Sequence, residues 1–231
     1  MPVILRIDVD RAYLKGIYNY PRMIYGLFPA IDPLGYLEPC KNLLEDLNSR
    51  GVKASFFFQI MTLPKREMAK KILRAGHSVG LHAVETQSFD RFSRELSKIS
   101  ERFEGKIRGF TKHGSGKFKL SRRHDPTYDP QKFVKYAKEA NLKYFLGNGE
   151  NPEEIERVVE DILFFPSAFW LNRNYREDRF TVDWLIDESV NRNIVVLMHP
   201  VDVIRGTKLM IREYEKILDG VEIIKPIGEI L

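Results

Sequence analysis

Short apolar runs rich in β-branched and aromatic residues alternate with amphipathic stretches along this chain of 231 residues. That alternation predicts strands at residues 3–10, 54–59, 78–82, 107–111, 143–146, 161–165 and 194–199. Helices are predicted between them, at 37–49, 65–75, 89–103, 130–140, 152–159 and 180–191, with a last one at 207–218 before a short apolar segment at 221–224. Gly51, Gly76 and Gly105 fall where helix C-caps belong, because glycine takes the left-handed conformation that ends a helix. Strand followed by helix, repeated this often, demands a parallel sheet with right-handed crossovers. About seven such units suit a deformed (β/α) TIM-like barrel of about seven parallel strands better than a large open sheet. The expectation is a single α/β domain over 1–231, since no repeat, linker or low-complexity segment divides the chain.

Composition removes several classes. Cys40 is the lone cysteine, which excludes a disulfide framework and a cysteine-built zinc site and points to a reducing, cytoplasmic setting. No run of 18 or so apolar residues occurs, so no membrane span is expected, and the N-terminus runs into the first strand without the pattern of a secretion signal. The net charge of +5 comes from 37 basic and 32 acidic residues interspersed along the chain. The basic run Lys117, Lys119, Arg122, Arg123 lacks the interleaved aromatics of a nucleic-acid platform, so no nucleic-acid partner is expected.

The chemistry collects at strand ends. In Ile7-Asp8-Val9-Asp10 the side chains alternate, so Asp8 and Asp10 share one face while Val9 packs on the other. Strand C-termini are where parallel α/β folds place their active sites. The acidic pair can be a helix cap or turn, a haloacid-dehalogenase motif, a glycosyltransferase Asp-x-Asp, or part of a metal-assisted hydrolase. The second wants Thr or Val two residues beyond the second Asp, where Ala12 stands, and a late Asp-Asp pair that this chain lacks. The third wants a preceding nucleotide-binding unit, and none is found. The fourth gains support from three histidines that close later strands: His82, His113 and His199. The long irregular stretches 11–35 and 114–129 follow strands on the same side, where functional loops lie. His77, at the start of its strand, is expected to pack behind it, and His124 to sit in a loop or on a substrate rim. Tyr13, Tyr18, Tyr20, Tyr25 and Trp170 could stack on sugar rings or anchor the loops.

Asp8-Val9-Asp10, Ala54-Ser55-Phe56-Phe57, Gly76-His77-Ser78-Val79-Gly80-Leu81-His82, Gly109-Phe110-Thr111-Lys112-His113-Gly114 and Leu197-Met198-His199 occur in an order that resembles the polysaccharide deacetylase superfamily, the chitooligosaccharide deacetylase-like carbohydrate esterases. The resemblance spans most of the chain. It implies a divalent metal, zinc with cobalt or nickel as alternatives, and removal of an acetyl group from an N-acylated amino sugar that is small or carrier-linked. Three departures mark the chain as divergent. The second metal-binding histidine expected four residues after His82 is Thr86, Val9 separates the usually adjacent aspartates, and the arginine that orients the base falls at Thr111. The metal set carried over is therefore Asp10, His82 and His113, with Glu85 as a possible additional oxygen ligand. Asp8 would take the water's proton and His199 would protonate the leaving amine, although the interrupted spacing leaves the roles of Asp8 and Asp10 exchangeable. Leu197, Lys112 and Trp170 are the expected substrate-binding residues. The rival readings are the same fold acting on a non-sugar, ureide-type amide, and a non-catalytic carbohydrate-binding barrel in which Thr86 and Thr111 record a lost site.

Overall fold

The computed structural model describes residues 1–10, 37–114 and 127–231. The loop calls at Tyr13, Tyr18, Tyr20, Tyr25 and His124, and the basic run from Lys117 to Arg123, lie outside the described residues. Nine strands are present among those described: β1 Val3–Val9, β2 Ser55–Phe58, β3 Ser78–Ala83, β4 Gly109–Lys112, β5 Tyr144–Gly149, β6 Arg157–Val159, β7 Ile162–Ser167, β8 Phe169–Trp170 and β9 Ile194–Met198. The helices are α1 Glu38–Ser49, α2 Arg66–Arg74, α3 Phe89–Arg102, α4 Pro130–Glu139, α5 Val182–Ser189, α6 Pro200–Ile204 and α7 Lys208–Gly220. The strands form one sheet in the order β6-β7-β5-β4-β3-β2-β1-β9-β8, parallel throughout except for the antiparallel β6–β7 pair.

Strand alternation sorts the core into two layers. In β1, Val3, Leu5, Ile7 and Val9 face the helices, while Ile4 faces the other way with Phe57, Tyr144, Leu146, Phe165, Val195 and Leu197. This second, smaller cluster draws on five strands, which requires the sheet to curl around it. Arg6 shows how far the curl goes. Four inter-strand steps separate β1 from β5, about 19 Å on a flat sheet. Yet Arg6 Nη1 donates to the Gly147 carbonyl at 2.6 Å. The small lumen is filled economically. Gly80 and Gly109 leave space on β3 and β4 for the rings of Phe57 and Tyr144, which a Cβ at either glycine would overlap. Those rings meet edge to face at 6.3 Å.

The two ends of the sheet order are parts of one extended segment. β7 pairs with β5, and after Ala168 the chain continues as β8 and pairs with β9. Residues 162–170 thus fill the place between β5 and β9, giving a deformed (β/α) barrel with seven strand positions. The seven expected strands are all present. The expected helix at 152–159 is absent: Arg157–Val159 is β6, turned back on β7 through Glu160 and Asp161. Both turn residues have positive φ, 50° and 66°, the requirement of a two-residue hairpin turn whose twist matches that of its strands.

Candidate metal centre

Each ligand candidate is delivered by a different strand end. Asp10 follows β1, His82 is the fifth residue of β3, and His113 follows β4, where its N–H continues the β3–β4 ladder to the Ala83 carbonyl at 2.8 Å. The register places His82 beside Thr111 on adjacent strands. His82 Nε2 and His113 Nδ1 are 2.9 Å apart, and Asp10 Oδ1 lies 2.9 Å from the first and 3.3 Å from the second. Gln59, just after β2, donates from Nε2 to the same Asp10 oxygen at 2.8 Å.

The donor chemistry of this trio fits a divalent cation. Donors about 2.0–2.1 Å from a tetrahedral ion stand about 3.3–3.4 Å from one another, close to the separations found here. Two imidazoles and one carboxylate also match the preferences of zinc. Burial pushes the Asp10 carboxyl up, but His113, His82 and His199 outweigh it and hold the group well below the usual carboxylate range, so it is charged. Lone pairs on three atoms this close repel unless a proton or a cation lies among them. Asp10, His82 and His113 are the one such grouping of His, Cys, Asp and Glu among the described residues, and Glu85 stands outside it.

Behind the trio is a buried polar network. Asp8 accepts from Arg6 Nε at 3.0 Å and from Arg6 Nη2 at 2.6 Å, while Nη2 also donates to Asn148 Oδ1 at 2.7 Å. Arg6 is wholly buried, and its charge together with that of His82 overcomes the upward push of burial to keep the Asp8 carboxyl below its ordinary value. Thr111 Oγ1 lies 2.6 Å from His82 Nδ1 and 3.4 Å from Asp8 Oδ1. Arg6, two residues upstream on the same strand face, is thus the arginine that meets Asp8. A charged residue inside the run Val-Ile-Leu-Arg-Ile-Asp-Val was the available signal, since residues i and i+2 are neighbours on one face.

His199 caps the short helix α6. Its backbone N–H and its ring Nδ1 both reach Asp202 Oδ2, at 3.2 and 3.0 Å, and its Nε2 lies 3.4 Å from Asp10 Oδ2. Burial pulls the His199 ring down, but its hydrogen bonds to Asp10 and Asp202 and their charges hold it well above its ordinary value. Asp202 was legible as the third helical residue after a cap, the position whose carboxylate reaches back.

The other expected residues divide. Leu197 is buried on the inner face of β9, in register with Trp170 of β8, whose Nε1 donates to the Gly149 carbonyl at 3.3 Å. Lys112 is not brought to the trio. Next to Thr111 on β4, it faces the helical side, with its ammonium 5.9 Å from the centre of the Phe133 ring and donating to the Gly114 carbonyl. Alternation along the strand makes this unavoidable once Thr111 points inward. Glu85 and the buried Thr86 follow β3 in a turn held by Glu95 of α3, whose Oε2 accepts from the Val84 and Glu85 N–H groups at 2.9 and 2.8 Å. His77 lies at the opposite end of β3, accepting from Ala54 N–H at Nδ1 and facing Asn48 Oδ1 with Nε2.

Two solved structures of similar fold are described as polysaccharide deacetylases. A protein assigned as a polysaccharide deacetylase from Mycobacterium smegmatis matches with a TM-score of 0.58 and 16% identity, over 99% of this chain and 88% of that one. Another, from Pseudomonas aeruginosa PAO1, matches with a TM-score of 0.57 and 9% identity, over 99% and 89%. The chain has the polysaccharide deacetylase fold. No family profile matches the sequence, and no curated relative does. Within this deacetylase fold, the trio stands at the C-terminal ends of β1, β3 and β4, and no described helix is long and apolar enough to cross a membrane.

Proposed function

We propose that the chain is a divergent member of the polysaccharide deacetylase superfamily, a metal-dependent hydrolase that removes an acetyl group from an N-acylated amino sugar or related carbohydrate. The observation that carries this is the meeting of Asp10, His82 and His113 within 3.3 Å of one another, with His199 beside them. Those three residues would hold the cation, zinc by donor type with cobalt or nickel as substitutes. When bound, it supplies Lewis acidity, polarising an acyl carbonyl and acidifying a water.

The remaining work belongs to side chains. His199, 21% exposed at its side chain, has Nδ1 fixed by Asp202 and its other nitrogen on the Asp10 side. With Nδ1 held by Asp202, its Nε2 is placed to give a proton to the departing amine nitrogen. Trp170, partly buried, offers apolar surface suited to the face of a sugar ring, backed by the buried Leu197 on the inner wall. The sugar assignment rests on the fold and is an analogy at that level.

The test is acetate release from a panel of N-acetylated sugars by zinc- or cobalt-loaded protein. At least one sugar should be turned over, and His199→Ala should keep its metal while losing roughly 10²–10⁴-fold in rate. No release across the panel, or a wild-type rate from His199→Ala, would overturn the reading.

A further inference from the structure

We infer that the end of the barrel opposite the metal centre holds a binding site for a phosphate monoester with a small apolar body, between the starts of β3, β4 and β5. A cavity of about 350 Å³ lies there. It has the size of a small-molecule site and is larger than a bare ion needs. Ser78, which opens β3, lines it, and His82 stands four residues further on, about 13 Å along the strand. The site therefore stands or falls independently of the deacetylase reading.

Charge comes from two segments. Arg74 ends α2, and Lys106 and Arg108 lie between α3 and β4. All three are exposed, and none forms an ion pair with a described carboxylate, not even with Glu104 on the same wall. The exposed Arg179 and Arg205, by contrast, each have a carboxylate partner. Three positive charges against one negative suit a dianionic phosphate, and an anion among them relieves their mutual repulsion.

Tyr144, the first residue of β5, adds a neutral donor. It is 1% exposed, with its ring packed against Phe57 and over the Gly109 backbone. Its hydroxyl makes no hydrogen bond among the described residues yet is not sealed away from solvent, which leaves it open to the cavity. Burial pushes the phenol up against the opposing pull of Arg108, so the group keeps its proton and can donate it. A polar group in such a place gains from an acceptor oxygen. Ser78 Oγ accepts from the Gly228 N–H at 3.0 Å and donates to no described group, so its own proton is available for a second bond. Leu73 and the Tyr144 ring supply apolar lining for the body of the ester.

Calorimetric titration with phenyl phosphate tests the site, with inorganic phosphate and benzoate as comparison ligands. Wild type should bind about one phenyl phosphate per chain, more tightly than either comparison ligand. Arg74→Ala and Arg108→Ala should each weaken binding roughly 10–100-fold, and Tyr144→Phe, which keeps the ring, roughly 3–10-fold. His113→Ala at the metal centre and Lys135→Ala on α4 should bind like wild type. No saturable binding by wild type, or unchanged affinity in both arginine variants, overturns the site. Benzoate binding as tightly as phenyl phosphate overturns the phosphate assignment, and inorganic phosphate doing so overturns the apolar body. Binding lost in His113→Ala but kept in Arg108→Ala puts the anion on the metal centre and overturns the inference while leaving that centre standing.

Discussion

Two histidines on one strand have opposite duties because of where each sits. His82 is at the C-terminal end of β3, among acids and another imidazole. His77 is at the other end, where burial and Lys53 pull its ring down to about 4. Its Nδ1 must be unprotonated to accept from Ala54 N–H, so the folded state needs the neutral ring. An unfolded histidine titrates near 6.5, and the unfolded chain therefore takes up a proton between pH 6.5 and 4 that the folded chain refuses. The stability due to neutral His77 is complete above about pH 6.5 and is lost as pH falls toward 4. Urea unfolding of wild type should weaken more steeply than that of His77→Gln over this window, by about 1–3 kcal/mol. Parallel profiles would show that His77 is not the group responsible. The position of His77 was legible from its place at a strand's start. The networks behind the trio were not, because Gln59 meets Asp10 and Asn148 meets Arg6 only through tertiary packing.

At the scale of elements, strands were legible where apolar runs were continuous, as in Ile194-Val195-Val196-Leu197-Met198, and failed where local composition misled. Pro152-Glu153-Glu154 has the proline and acids of a helix start, yet the chain turns at Glu160-Asp161 into the β6–β7 hairpin. That turn carries neither Gly nor Asn, so its usual sequence cue is missing. β8 is two residues long and carries no periodicity at all. A helix can also act on the site without contributing a ligand. Glu95 of α3 holds the turn after β3 by accepting two N–H groups, and burial pushes its carboxyl up to about 7. Glu95→Leu leaves both N–H groups unmet and should cost about 2–4 kcal/mol of stability in chemical denaturation at pH 7. A loss below about 0.5 kcal/mol would mean that the turn is held by other contacts.

At the scale of the molecule, the curl of the sheet turns separate strand ends into one site. Asp10, His82 and His113 are far apart in sequence and come from β1, β3 and β4, with β2 between the first two. The count of seven strand positions was readable from the alternation of patterns. Closure was not, because it depends on Arg6 reaching Gly147 across the lumen and on residues 162–170 serving both β5 and β9. Nothing in the sequence brings a later histidine to the place of the one missing at Thr86, since the register pairs His82 with Thr111 and the two imidazoles meet only through their side chains at the strand ends. The account stands on that trio holding a metal, and elemental analysis after zinc loading and removal of excess ion measures it directly. Wild type should carry about one zinc per chain and His113→Ala, which retains too few ligands to close a site, essentially none. A wild-type protein without zinc, or equal zinc in both proteins, would contradict it.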